Sequence, residues 1–119
     1  MSPTQPTVTR LLNMLRALRE LSSFSDLTAD EEQLLFDLVL RWHRSDAITV
    51  SDVMLDAERT SASTIYRRLL GLKEKGMIAF RVDQRDKRVK FVEPTAKADD
   101  YVQRLSRSVD QLVEGSQAA

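Results

Sequence analysis

Between Arg59 and Lys90 stand ten cations, Arg59, Arg67, Arg68, Lys73, Lys75, Arg81, Arg85, Lys87, Arg88 and Lys90. Only Glu74, Asp83 and Asp86 oppose them, so the segment carries a net charge of +7. Guanidinium and ammonium groups at this density offer hydrogen-bond donors to an anionic partner. Catalytic chemistry does not fit the chain. His43 is the only histidine and there is no cysteine, so no His-based triad, His cluster or thiolate metal site can form within one chain. Asp30, Glu31 and Glu32 form a carboxylate cluster that a helix N-terminus explains without chemistry, and no glycine loop could cradle a phosphate. Binding is expected, without cofactor, metal or enzymatic activity.

The elements that must position these cations follow from spacing. Ser61 is placed to cap a helix whose apolar face is Ile65, Leu69 and Leu72, and Gly76 supplies a left-handed stop. Met77–Val82 and Val89–Val92 are strand-like around a polar turn. Phe80 and Phe91 on this hairpin are expected to cover the helix. A capped helix followed by a basic hairpin is the frame of a winged helix-turn-helix, whose helix enters the major groove of DNA while the hairpin reaches the minor groove or backbone.

Upstream, Val8, Leu11, Leu15 and Leu18 step by three and four, widened by Leu12, Met14 and Leu21, and predict a helix over 8–23 after an arm at 1–7. Thr28 and Glu31 form a capping box opening a helix to about Arg44, with Leu34, Leu35, Leu38, Val39 and Trp42 buried. His43, at the end of that helix, suits a capping role. Ala47–Val50 is β-leaning, and Ser51 is expected to cap a brief helix over 52–57. Thr95 caps a last helix, 96–114. The order α-α-β-α-α-β-β-α describes one mostly helical winged-helix domain of 119 residues, its core at 28–93.

Formal net charge is zero, yet the segment Glu20–Glu58 sets ten acids against Arg41 and Arg44, a net of −8. Positive charge is thus concentrated in the helix–hairpin unit. No run is long and apolar enough to span a membrane and no signal peptide is visible, so the expected location is the cytoplasm. Val102, Leu105, Val109 and Leu112 repeat the spacing of Val8, Leu11, Leu15 and Leu18. Two narrow seams outside a small core predict dimerisation with a second copy, which lets a DNA reader span two half-sites. The alternative is that the two helices pack only on each other within one chain.

The run Ser61-Ala62-Ser63-Thr64-Ile65-Tyr66-Arg67 through Leu72-Lys73-Glu74-Lys75-Gly76-Met77-Ile78 resembles the recognition helix of the multiple-antibiotic-resistance regulator (MarR) family. Asp83-Gln84-Arg85-Asp86-Lys87-Arg88 is similar to that family's wing pattern, Asp-x-Arg-Asp-x-Arg, at every fixed position. The likeness covers about half the chain, roughly Ile48 to Leu105. It implies that Ala62, Ser63, Thr64, Tyr66 and Arg67 face DNA, with Ser61, Arg68 and Arg88 in the same set. Arg85 would be the minor-groove arginine, Lys87 and Lys90 phosphate contacts, and Asp83 and Arg88 a pair across the base of the wing. It also implies a pocket for a small-molecule effector, which the sequence does not identify. Arg68 stands where the family usually has an apolar residue, and Leu70 and Gly71 where polar ones are common.

These readings converge on a homodimeric, sequence-specific DNA-binding transcription regulator, acting as a repressor. Two alternatives stay open from the residues: a winged-helix module for protein–protein assembly, and an architectural or replication-associated DNA binder of low specificity. The architectural reading lacks an apolar wedge at the wing tip.

Overall fold

Capping chemistry divides the chain much as the spacing predicts. The computed structural model describes residues 6–22, 26–45, 47–55 and 60–118. The elements are helices α1 (Pro6–Ser22), α2 (Ala29–Arg44), α3 (Val50–Leu55) and α4 (Ala62–Glu74), strands β1 (Ile78–Val82) and β2 (Lys90–Pro94), and helix α5 (Ala96–Ala118). The winged-helix order is therefore present, mostly helical with a two-stranded antiparallel hairpin. Residues 1–5 of the arm expected at 1–7, the helix ends expected at 23 and 56–57, Arg59, and the side chains of Leu18, Leu21 and Leu112 lie outside the described residues. Among the described residues no helix is long and apolar enough to cross a membrane.

The chain divides into two compact units, residues 27–99 and residues 1–26 with 100–119. In the first, Thr28 opens α2 through the reciprocal box: its hydroxyl accepts from Glu31 N at 3.1 Å and its N–H donates to Glu31 Oε1 at 2.9 Å. Leu34, Leu35 and Leu38 are buried from α2, Val53 from α3, Ile65, Leu69 and Leu72 from α4, and Ile78 and Val92 from the hairpin. Fully burying each such side chain contributes about 1.5–3 kcal/mol. Val39 and Trp42, expected in this core, are only half-buried. The Trp42 indole lies where Nε1 donates to the Val92 carbonyl at 2.9 Å, tying α2 to β2.

Three boundaries differ from expectation. Helix α1 begins at Pro6 rather than after residue 7, because proline at a first helical position lacks only an N–H that would have no partner there. Helix α3 is capped by Thr49, not Ser51. Thr49 Oγ1 accepts from Asp52 N and Asp52 Oδ2 accepts from Thr49 N, both at 3.0 Å, leaving Ser51 inside the helix. The β-leaning piece at 47–50 reduces to a single bridge, Thr49 to Phe91, beside a bond from Val92 N to Ile48 O at 2.8 Å. Helix α5 runs on to Ala118, beyond the expected 114.

In the second unit, Val8, Leu11, Leu12 and Leu15 of α1 are exposed, from 43% to 58%. Along α5, Val102, Leu105 and Val109 are half-buried.

Candidate nucleic-acid interface

Ser61 caps α4 with an extended backbone, and its Oγ accepts from Thr64 N at 3.3 Å. The same oxygen lies 2.8 Å from Thr64 Oγ1 and 3.2 Å from Ser63 Oγ, so three hydroxyls gather at the helix N-terminus. Ser61, Ala62, Ser63 and Arg67 are exposed, and Thr64 and Tyr66 half-exposed. A serine hydroxyl can turn to donate or accept, and the N-terminal partial positive charge favours an anion there. Leu70, 40% exposed, adds an apolar surface to the helix that the sequence reading did not assign.

The far end of α4 closes in a Schellman motif. Gly76 N donates to Lys73 O at 3.0 Å and Met77 N to Leu72 O at 2.9 Å, with Gly76 at φ 80°, a conformation that suits glycine. The chain turns directly into β1, which packs against α4. Lys73 sits 5.0 Å from the centre of the Phe80 ring, so Phe80 does meet the helix. Phe91 does not cover it. In the register Phe80 faces Val92 and Arg81 faces Phe91, which puts Phe91 on the other face, beneath the Arg81 guanidinium at 4.5 Å. Arg81 also pairs with Glu93 on that face.

The wing turn is built from two aspartates. Asp83 Oδ1 accepts from Arg85 N at 3.0 Å, and Asp86 Oδ1 accepts from Arg88 N at 3.1 Å. Backbone bonds from Asp83 N to Val89 O and from Val89 N to Asp86 O close the loop at 2.9 and 3.0 Å. The expected pairing of Asp83 with Arg88 is not formed. Arg88 Nε and Nη2 instead reach Asp86 at 3.1 and 3.2 Å, because an aspartate two residues away already holds the Arg88 N–H and is the nearer carboxylate. These bonds hold the Asp86 carboxyl below its ordinary pKa. Arg85, Lys87 and Lys90 are exposed and, like Arg67, make no ion pair among the described residues.

Arg68 is paired within the chain. Its Nη2 lies 3.3 Å from Asp30 Oδ2, with the side chain 29% exposed, so it is turned toward the start of α2. One residue on a helix is about 100° of rotation, and Arg68 falls on the α2 side of α4 while Arg67 points to solvent. Glu31 has a second role beyond the capping box. It is 7% exposed and pairs with Lys75 across the α2–α4 contact. Burial opposes its charge, but the Lys75 ammonium and the Thr28 donors outweigh that and lower its pKa. Its place in the stripe Glu31, Leu34, Leu35, Leu38 was the available signal, since that spacing marks the buried face.

No protein-family model matches the sequence, and no curated protein matches it significantly. Solved structures do share its fold. The chain is similar to the Staphylococcus aureus MepR–DNA complex at 23% identity, covering 94% of this chain and 90% of that one, with a TM-score of 0.72. It is similar to S. aureus MepR bound to ethidium bromide at 21% identity, over 97% of this chain and 81% of that, with a TM-score of 0.72. MepR described as a transcription regulator of the S. aureus multidrug efflux pump MepA superposes with a TM-score of 0.64 at 23% identity, over 97% and 83% of the two chains. The shared architecture is the winged helix.

Proposed function

We propose that this protein is a homodimeric, sequence-specific DNA-binding transcription regulator of the MarR type, acting as a repressor in the cytoplasm. The observation that carries the reading is the charge left uncompensated after folding. Asp30 and Glu31 hold Arg68 and Lys75, Asp86 holds Arg88, and Glu93 holds Arg81. Arg67 on α4 and Arg85, Lys87 and Lys90 on the wing have no such partner among the described residues. Double-stranded DNA supplies phosphates and base edges for both elements.

In this reading α4 lies in the major groove, with Ser61, Ala62, Ser63, Thr64, Tyr66 and Arg67 toward phosphates and bases, and the apolar Leu70 suited to a thymine methyl. Residues 81–90 reach the minor groove, Arg85 leading, where a narrow groove concentrates negative potential. Asp83 and Asp86 hold the turn in shape. The exposed Val8, Leu11 and Leu15, with Val102, Leu105 and Val109, supply the dimer seam. Repression then needs only that a dimer occupy a promoter and exclude polymerase. The DNA-bound and ethidium-bound states of MepR support DNA as the ligand and a lipophilic cation as the first effector to try.

Selection from a randomised duplex pool, repeated across a salt series, tests the proposal. A palindrome with half-sites about 10 base pairs apart and affinity falling steeply with salt is the expected result. Binding with no enriched motif would point to an architectural binder. No binding at low salt would leave the basic face to a protein partner.

A further inference from the structure

Glycine inside a helix costs about 0.5–1 kcal/mol relative to alanine, and Gly71 lies within the last turn of the helix proposed to read DNA, Ala62–Glu74. Its backbone is not left-handed, so conformational freedom does not explain it. Space does. A Cβ on residue 71 would collide with Glu31 Oε2 and lie 3.1 Å from Glu31 Cδ. That carboxylate cannot easily swing away, because Thr28 N–H binds Oε1 at 2.9 Å and Lys75 Nζ binds the same oxygen.

The neighbouring contacts form one row. Arg68, Gly71 and Lys75 are spaced by three and four and lie along one edge of α4, meeting Asp30, Glu31 and Glu31 in turn. Lys75 is also the C-cap of α4, and its carbonyl accepts from Lys97 Nζ at 2.8 Å. The row therefore restrains rotation of α4 about its axis, and it fixes the point where the helix passes into the hairpin. Both elements that would touch DNA leave from that point.

We infer that Glu31, Gly71 and Lys75 form a clasp that sets the roll of the recognition helix, making Glu31 a positioning residue for sequence readout although it never meets DNA. The inference rests on the DNA-reading function proposed above. A change in roll misplaces Arg67 and Thr64 against base edges, whereas phosphate attraction tolerates small shifts. Losing the clasp therefore lowers discrimination between sequences more than it lowers non-specific binding.

The test measures affinity of the full-length protein for its selected duplex and for a scrambled duplex, each across a salt series. A wild-type protein that shows no preference would overturn the DNA-reading function itself. Given a preference, Gly71→Ala and Glu31→Ala are each expected to reduce the ratio of the two affinities roughly tenfold, the scale of one base contact, with scrambled binding unchanged. The double variant should lose about the same factor, not the product, because both changes undo one contact. Lys75→Met keeps the aliphatic stem, and it should lower the ratio while leaving the salt slope as in wild type. A slope reduced by about one would make Lys75 a phosphate contact and overturn the clasp. An unchanged ratio in folded Gly71→Ala, or multiplicative losses in the double variant, would overturn it as well. Should Gly71→Ala fail to fold, Lys75→Met decides the matter alone.

Discussion

Arg67 and Arg68 are adjacent in sequence and opposite in circumstance. Arg68 is held by Asp30 on α2, while Arg67 is exposed and without an ion pair among the described residues. If Arg67 reads a base, Arg67→Ala should cost about 1–3 kcal/mol of binding and relax preference at a single base pair. A loss spread evenly over all duplexes would instead mark a phosphate contact. Arg85, set at the wing tip by the Asp83 bond to its N–H, carries a different expectation. Arg85→Ala should weaken binding most on sites flanked by narrow A·T-rich minor groove. Equal weakening with A·T-rich and G·C-rich flanks would remove the minor-groove role. Residue types alone marked both arginines as binding groups. They could not show that the next arginine along was taken, because its partner Asp30 lies 38 positions away in sequence.

At the scale of elements, what was legible depended on whether the deciding contacts were local. The capping box at Thr28, the Ser61 cap, the Gly76 stop and the apolar stripes are all properties of a few neighbouring residues, and they located α2, α4 and the hairpin. Thr49-x-x-Asp52 carries the same kind of signal, and it rather than Ser51 caps α3. The pairing of Thr49 with Phe91 and of Glu31 with Lys75 bridges 42 and 44 positions, and nothing local encodes either. The second pairing has a pH consequence. Because folding lowers the pKa of Glu31, its charge stabilises the folded state fully above the unfolded value of about 4.3. That stabilisation fades as pH falls through the lower, folded value. Glu31→Gln keeps the shape and removes the charge, so its melting temperature should lie below wild type at pH 7 and converge with it as the solution is acidified past that range. A gap that stays constant from pH 7 to pH 3 would show that the charge is not what holds the contact.

For the whole molecule, a net charge of zero conceals the feature that matters, which is how charge is partitioned after folding. The acids of α2 neutralise the inner row of α4, and the cations left over lie on the outer helix surface and the wing. A single copy would bring one such set to DNA. Two copies joined along the apolar seams would bring two, and the second set binds as an intramolecular partner of the first. Leu11 provides the clean test because it is 53% exposed in the single chain. A charge there costs the folded monomer little, whereas in a dimer seam it would be desolvated without a partner. Leu11→Glu should therefore keep its helical circular dichroism, sediment as a monomer where wild type sediments at twice the mass, and lose most of its affinity for a two-half-site duplex. Affinity for a duplex bearing one half-site should hardly change, because each copy still carries its own helix and wing. Wild-type protein that is monomeric at the concentrations where it binds DNA would sink the dimer and leave the seams to another partner.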